Sequence, residues 1–489
     1  MAPTLNTDHM RQLAPPVPIG HPGVGNAPRT ERRVLVALCI FFIAFGAVVL
    51  HRSAFSDRRR TDAGVFFRAG YAVRSGVDPY SISDDNGWYF LYPPAAAVAF
   101  VPLADPPAPQ LPPTPARLGG APQSRGCLPY PVSVVLWYII GVGGTLASVH
   151  WAARAMEAGS PDPLIRAIGP RSAGWWAARL WPVLMLLPDI GSTLSRGQIN
   201  SVLLALICAS MTAIVWERRV AAGALLAAAG CVKLFPGLLV FYLLSKPDWR
   251  ALRGYVVYAA VFLLVVPVVI YGPERAVDYS QTFVNRVILA GILGNGQRLA
   301  AGSGMDNTDN LAIMGTLHNL VNLGLPRGKR PAELESWIPP VHVAVSAAML
   351  GITLVVGRSR RESTGLEIVL RLGMLCDLMI LAVPMCHRHY YLFMLPTASA
   401  FVFAHIGSSP RAAIHGWGRV LIPAFPVLML LPRFAQEGLL RDLPIPQASN
   451  LAAWTMSAVM LHRLAFARRD HAVEVENGSF SNTQDLVPK

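Results

Sequence analysis

The sequence is poor in charge. Only 14% of its 489 residues are Asp, Glu, Lys or Arg, where a soluble globular domain carries nearer a quarter. Carboxylates are the scarcer half, 28 Asp and Glu against 42 Lys and Arg. The six cysteines are scattered and form no Cys-x-x-Cys, which argues against a metal or redox site built on thiols. His-Glu-x-x-His, Asp-x-Asp and a Gly-rich phosphate loop are also missing, so no motif marks a zinc enzyme or a nucleotide-binding domain. The formal net charge is +14, yet no Lys/Arg-rich arm concentrates it, and nucleic-acid binding does not follow. No internal repeat is visible.

Apolar residues fill the space that charge leaves. They make up 53% of the chain, and the mean hydropathy is +0.42. Several runs reach the ~20 residues a bilayer crossing needs. The composition therefore predicts an all-α polytopic membrane protein with about ten to twelve spans. Basic residues sit in short loops between runs, as the positive-inside rule requires.

That rule sets the expected topology. Arg29, Arg32 and Arg33 hold a Pro/Gly-rich tail, residues 1–33, in the cytoplasm. Val34–Leu50 reads as an uncleaved anchor, with no cleavable signal before it. Within a transmembrane domain of residues 34–466, further spans are expected near 132–152, 175–192, 199–216, 254–272, 341–357, 366–385, 389–406, 418–432 and 450–466. The run 220–245 has basic residues at both ends and "CVKLFPG" in its middle. A proline there breaks a helix, so a broken hairpin or re-entrant pair is expected. Two long outer segments remain, 52–131 and 273–340. The first includes Pro93–Ala104, too short to cross, and a Pro-rich insertion, 102–131, expected to be extended. The polar tail 467–489 is expected to be cytoplasmic and unstructured.

On this topology the polar clusters fall on the outer face. In "RRRTDAGVFFRAGYAVRSGVDPY", Thr61 or Asp62 fits a helix N-cap, and Val65, Ala69, Ala72 and Val73 then share one face of an amphipathic interfacial helix. Asp62 is equally placed to be a general base. Asp78-Pro79 marks a turn. Trp88, Tyr89, Phe90 and Tyr92 suit either a headgroup belt or stacking on a sugar. In "SRGQINS", Gln198 and Asn200 open an apolar helix, where amides cap or bond between helices. Lys233 interrupts an apolar run. Such a residue is a functional candidate, here for a phosphate, or a lysine snorkelling to the interface. "DNLAIMGTLHNL" reads as a short helix capped by Asp309. In "CHRHYY", His387 and His389 are two apart, on different helix faces, and read as proton-handling, substrate-binding or structural rather than as metal ligands.

Taken in order, these segments resemble a known family. An acid follows the first span. Then come Gly-x-Asp-Pro-Tyr, aromatic-Tyr-Pro-Pro, Gly-Gln-x-Asn opening a span, Lys-x-x-Pro, Asp-Asn-x-x-x-x-Gly in a long outer loop, and a late histidine. The chain resembles glycosyltransferase family 87 of the GT-C superfamily over roughly residues 34–410, similar to polyprenol-phosphate-mannose-dependent α-mannosyltransferases. The resemblance implies a GT-C-type bundle in the plasma membrane with its active site facing outward. It implies a polyprenyl-phosphate sugar as donor, a glycolipid or glycan as acceptor, and an aspartate base. Asp62 matches that base best, with Asp57 as the second choice, and the late histidine maps to His387 or His389. Arg68, Arg196 and Lys233 are the candidate cations for the leaving phosphate. Asp78, Tyr80, Tyr92, Gln198, Asn200 and Asn310 fall within the motifs that would bind substrate. The scheme needs no cofactor and no metal. A transporter or flippase for a lipid-linked sugar is the alternative.

Overall fold

The structure is a computed structural model. It describes residues 29–56, 61–107, 126–289, 310–325, 329–358, 363–407 and 443–481, except positions 161, 167, 247 and 332. Asp57, Asp309, the middle of the Pro-rich insertion and the expected span 418–432 lie outside the described residues. The chain divides into two units, residues 1–45 and 46–489, and every helix after the first lies in the second.

The main helices are α1 (Arg29–Leu50), α2 (Ala63–Ser75), α3 (Tyr130–Ala158), α4 (Ala173–Met185), α5 (Leu187–Arg196), α6 (Asn200–Val215) and α7 (Arg219–Val232). Then come α8 (Trp249–Tyr271, through a π-helical turn), α9 (Pro273–Phe283), α10 (Ile313–Val321), α11 (Ile338–Gly357), α12 (Gly365–Ala382), α13 (Leu395–Ile406) and α14 (Ile445–Ser481). Among the described residues there is no strand, only an isolated bridge between Ser83 and Tyr89. The protein is an all-α polytopic membrane protein.

Four helices are long and apolar enough to cross a membrane: Glu31–Phe55, α3, α8 and α11. Their exposed Val, Ile and Leu side chains form a surface that only lipid would leave at low cost. Other expected spans are shorter or broken. The run expected at 175–192 is two helices, because Leu186 leaves helical geometry just before Pro188, and proline cannot donate to a continuous ladder. The run 220–245 is also two pieces. Helix α7 stops at Val232, Lys233 is extended, and a 3-10 turn Phe235–Leu239 leads into Val240–Ser245. Helix α12 spans 18 residues and is buried almost throughout. It carries Glu367, Arg371 and Asp377, which protein can cover and lipid cannot.

The helices pack in sequence order at the centre, α3 on α6, α6 on α7 and α7 on α8, while α12 packs on α13 and α14. Close approach of α7 and α8 uses glycine on both sides. A Cβ on Gly223 would meet the Ala251 carbonyl at 1.8 Å, and one on Gly254 the Val220 carbonyl at 2.2 Å. This is the small-residue contact expected between membrane helices.

Two expectations are corrected here. Helix α2 is not an interfacial helix with one wet face. Every residue from Ala63 to Ala72 is buried, because the segment Pro94–Leu103 folds back over it. Its buried charge, Arg68, is neutralised by Asp85 and Asp105, described below. At the other end, the α14 backbone continues to Ser481, into the tail expected to be unstructured. The stretch from Gln447 to Asn477 contains neither Gly nor Pro, so nothing local stops the helix.

Candidate active site

The site forms where α2 begins, α5 ends, α6 begins and α7 breaks. Asp62 occupies the N-cap position of α2, but its side chain makes no capping bond. Thr61 does that work: its Oγ1 accepts from the Ala63 amide at 3.2 Å and donates to the Arg196 carbonyl at 3.0 Å. The Asp62 amide donates to the same carbonyl at 2.8 Å. That carbonyl is available because α5 ends on Gly197 with φ of +63°, a left-handed turn. A side chain there would be strained, and its Cβ would lie 2.7 Å from the Ala63 Cβ. The Gly in "SRGQIN" is thus the position where two chain segments meet.

Released from capping, the Asp62 carboxylate is held differently. Gln198 Nε2 donates to Oδ2, and Oδ1 has no hydrogen-bond partner among the described residues. Burial pushes the Asp62 carboxyl above its usual range. The Arg196 charge, the Gln198 hydrogen bond and the Lys233 charge pull it partly back, and Asp84 adds a further rise.

Two residues after Gln198, Asn200 is fully buried and works in both directions. Its Oδ1 accepts from Lys233 Nζ at 3.1 Å, and its Nδ2 donates to the His389 carbonyl at 2.9 Å. Lys233 is 7% exposed. Its ammonium lies 4.3 Å from the Tyr390 ring centroid, 5.2 Å from Phe235 and 5.4 Å from Tyr92. Asn200 is its sole hydrogen-bond partner among the described residues, so two of its three N–H donors remain for a ligand. The guanidinium of Arg196 likewise makes no hydrogen bond or ion pair among the described residues.

The histidines sit on a 3-10 segment, Arg388–Met394. Thr193 Oγ1 donates to the His389 carbonyl at 3.0 Å, beside the bond from Asn200. Arg388 faces the buried Asp189 of α5 at 3.2 Å. The His389 ring stacks on Tyr390 at 4.7 Å, lies 5.6 Å from His387, and leaves a buried Nδ1 with no hydrogen-bond partner among the described residues.

Asp62, Tyr92, Arg196, Gln198, Asn200, Lys233, His387 and His389 are therefore brought together. Four other candidates are occupied elsewhere. Arg68 is 2% exposed and spends its charge on Asp85 at 2.8 Å and Asp105 at 3.2 Å. Asp78 accepts from the Tyr80 amide at 2.9 Å, closing the turn that Asp-Pro predicts. Tyr80 donates to the Tyr92 carbonyl at 2.6 Å. Asn310 accepts from Cys386 and Ala312 amides and donates to the Pro384 carbonyl, tying the outer loop to the histidine segment. Sequence reasoning missed Asp189, Arg388, Thr193, Phe235 and Tyr390. Asp189 had a signal, since a carboxylate in an apolar run needs a partner. The rings were indistinguishable from interface aromatics. Among the described residues no group of three His, Cys, Asp or Glu side chains is arranged to hold a metal.

The sequence signature described as Glycosyltransferase family 87 matches residues 90–384. The chain belongs to glycosyltransferase family 87. The family 87 match includes Tyr92, Arg196, Gln198, Asn200, Lys233 and Asn310; Asp62 precedes it and both histidines follow it. The chain is also similar to the polyprenol-phosphate-mannose-dependent alpha-(1-2)-phosphatidylinositol pentamannoside mannosyltransferase of Mycobacterium tuberculosis (strain CDC 1551 / Oshkosh). The two are 25% identical over 354 residues, which is 72% of this chain and 66% of that protein.

Proposed function

We propose that this member of family 87 is a membrane glycosyltransferase that moves a hexose, mannose by analogy with the relative's name, from a polyprenyl monophosphate to a glycolipid or glycan hydroxyl on the extracytoplasmic face. The observation that carries the reading is the pairing of an open carboxylate oxygen on Asp62 with a partly unsatisfied ammonium on Lys233, held by Gln198 and Asn200 of one turn.

The acceptor oxygen forms a bond to the anomeric carbon as the bond from that carbon to the phosphate oxygen breaks. The hydroxyl proton goes to Asp62 Oδ1. The transition state carries oxocarbenium character, as in other glycosyl transfers, and charge builds on the departing phosphate. Lys233 and Arg196 offset it. A raised carboxyl suits a base working near neutral pH. His389, or His387 beside it, orients the acceptor. Direct displacement inverts the anomeric centre, and the three rings around Lys233 keep water from the leaving group. Arg68, Asp78, Tyr80 and Asn310 build the frame around these groups.

The test uses purified full-length protein in nanodiscs with polyprenyl-phosphate mannose and a mannoside acceptor. Release of polyprenyl phosphate with an inverted product is expected, and Asp62→Asn lowers the rate by about 10²–10⁴, the usual worth of a general base. Vectorial movement of the lipid-linked sugar without release would assign the protein as a transporter instead.

A further inference from the structure

Two tyrosine hydroxyls in the site are unused by the fold. The Tyr390 ring is fixed on three sides. It stacks on His389 at 4.7 Å, meets the Phe235 ring at 5.1 Å, and has the Lys233 ammonium 4.3 Å from its centroid. The Tyr92 ring packs on Phe66 at 5.0 Å and Phe90 at 5.4 Å. A buried phenol ordinarily finds a hydrogen-bond partner. Tyr80 and Tyr391, which adjoin this pair, donate to the carbonyls of Tyr92 at 2.6 Å and Leu311 at 3.4 Å. The hydroxyls of Tyr92 and Tyr390 make no hydrogen bond among the described residues. Both residues are half-buried, and neither oxygen is sealed from solvent.

These oxygens share a space with the base. The Asp62 charge acts on both phenols, and Tyr390 acts on Tyr92, yet neither phenol bonds the carboxylate. The three groups therefore surround a gap instead of satisfying one another. A carboxylate only accepts, while a phenol both donates and accepts. The gap thus suits a group with donors and acceptors at short intervals, as the hydroxyls of a sugar provide. A phosphate dianion has no donors. It is met by Lys233, which touches the face of the Tyr390 ring and not its hydroxyl. One ring therefore stands beside the phosphate with its face and beside the sugar on that phosphate with its edge.

We propose that Tyr390 is a specificity-determining residue: its hydroxyl hydrogen-bonds one hydroxyl of the sugar being transferred, with Tyr92 against the same sugar. The proposal rests on the transferase reading and names the residue that tells one hexose donor from another. Lys233 and Arg196 recognise the phosphate, which every polyprenyl-phosphate sugar carries, so they do not discriminate among sugars. A phenol that reads one hydroxyl does. A donor lacking that hydroxyl leaves the phenol unpaired, which lowers kcat/KM by about 10- to 100-fold.

The test is a cycle between residue and donor. Full-length wild-type and Tyr390→Phe proteins in nanodiscs are given polyprenyl-phosphate mannose and its four monodeoxy analogues, with a mannoside acceptor. Phenylalanine keeps the ring on Lys233 and His389 and removes only the oxygen. Wild type is expected to lose about tenfold or more with one of the analogues. Tyr390→Phe is expected to lose about tenfold with the complete donor and no more than about twofold further with that analogue, because the two changes remove the same bond. Tyr391→Phe, whose hydroxyl is held by Leu311, should discriminate as wild type does. Equal discrimination by wild type and Tyr390→Phe against all four analogues would overturn the assignment. Coupling of Tyr390 to a deoxygenated acceptor in place of the donor would overturn it equally. Binding is measured alongside, with the same donors carrying a methylene in place of the oxygen between sugar and phosphate, which blocks transfer. Coupling in binding with no transfer from the natural donor keeps the sugar contact and removes the transferase reading. Transfer with no coupling in either measurement does the reverse.

Discussion

Lys233→Met separates a functional lysine from a structural one, because the two roles predict opposite signs. Methionine keeps an unbranched stem and removes the ammonium. The ammonium lies in a nearly closed pocket, 7% exposed, with one side-chain acceptor, Asn200, at 3.1 Å. Its surroundings otherwise are the faces of Tyr390, Phe235 and Tyr92. Each face offsets ~0.5–2 kcal/mol of the cost of burying the charge, against an effective desolvation penalty of several kcal/mol. Replacing the ammonium by an apolar group of similar volume is therefore expected to change stability by less than about 1 kcal/mol, or to raise it. Catalysis moves the other way. One preorganised cation or donor at a developing oxyanion is worth ~2.7–4 kcal/mol, or ~10²–10³ in kcat. The assay is single-turnover release of polyprenyl phosphate, run beside thermal melting of the same preparations. A Lys233→Met protein that melts at or above wild type and has lost ~10²-fold in rate fits the argument. One that melts several degrees lower yet transfers sugar at the wild-type rate refutes it, because the lysine would then be holding the broken helix and not the phosphate.

Three further outcomes follow from the same geometry. The Asp62 carboxyl is raised by burial, so the rate should fall as pH drops through that raised value, in a pH–rate profile whose acid limb lies above the ordinary carboxylate range. The folded carboxyl binds its proton more tightly than the unfolded one, so its ionisation costs stability as pH rises past about 4; Asp62→Asn should melt at or above wild type at neutral pH, and a lower melting temperature there would contradict the burial argument. Arg68→Ala leaves Asp85 and the more buried Asp105 without their guanidinium, which should cost about 2–3 kcal/mol in denaturant unfolding and reduce the amount of folded enzyme rather than its KM for donor. Asp189→Leu should be more damaging to melting temperature than Asp189→Leu combined with Arg388→Met, since the single change takes a buried carboxylate away from the Arg388 guanidinium and the double change removes both charges.

Much of this protein was legible in its residues. Scarcity of charge and the length of the apolar runs determine an all-α polytopic membrane protein, because a bilayer accepts no backbone that fails to satisfy its own hydrogen bonds. Proline in "CVKLFPG" determines that the run 220–245 breaks, and Asp78-Pro79 determines a turn. The ordered motifs were sufficient to point to the family. What each polar residue does within that frame depended on contacts far apart in sequence. Asp62 and Arg68 look alike on paper, a single charge beside an apolar helix. Tertiary packing gives Arg68 two carboxylates and gives Asp62 an amide, so one charge is consumed and the other kept. Asp62 looked like a helix cap until Thr61 took the cap and Arg196 the amide, 135 residues away from Thr61. Asn310 was expected to bind substrate from its motif alone, and only the tertiary structure shows its amide tying the outer loop to the histidine segment. The α2 pattern predicted a helix with one wet face, and only the fold of Pro94–Leu103 over it buried the other. Periodicity reports which residues share a face, but what covers that face is decided by segments whose distance along the chain carries no local signal.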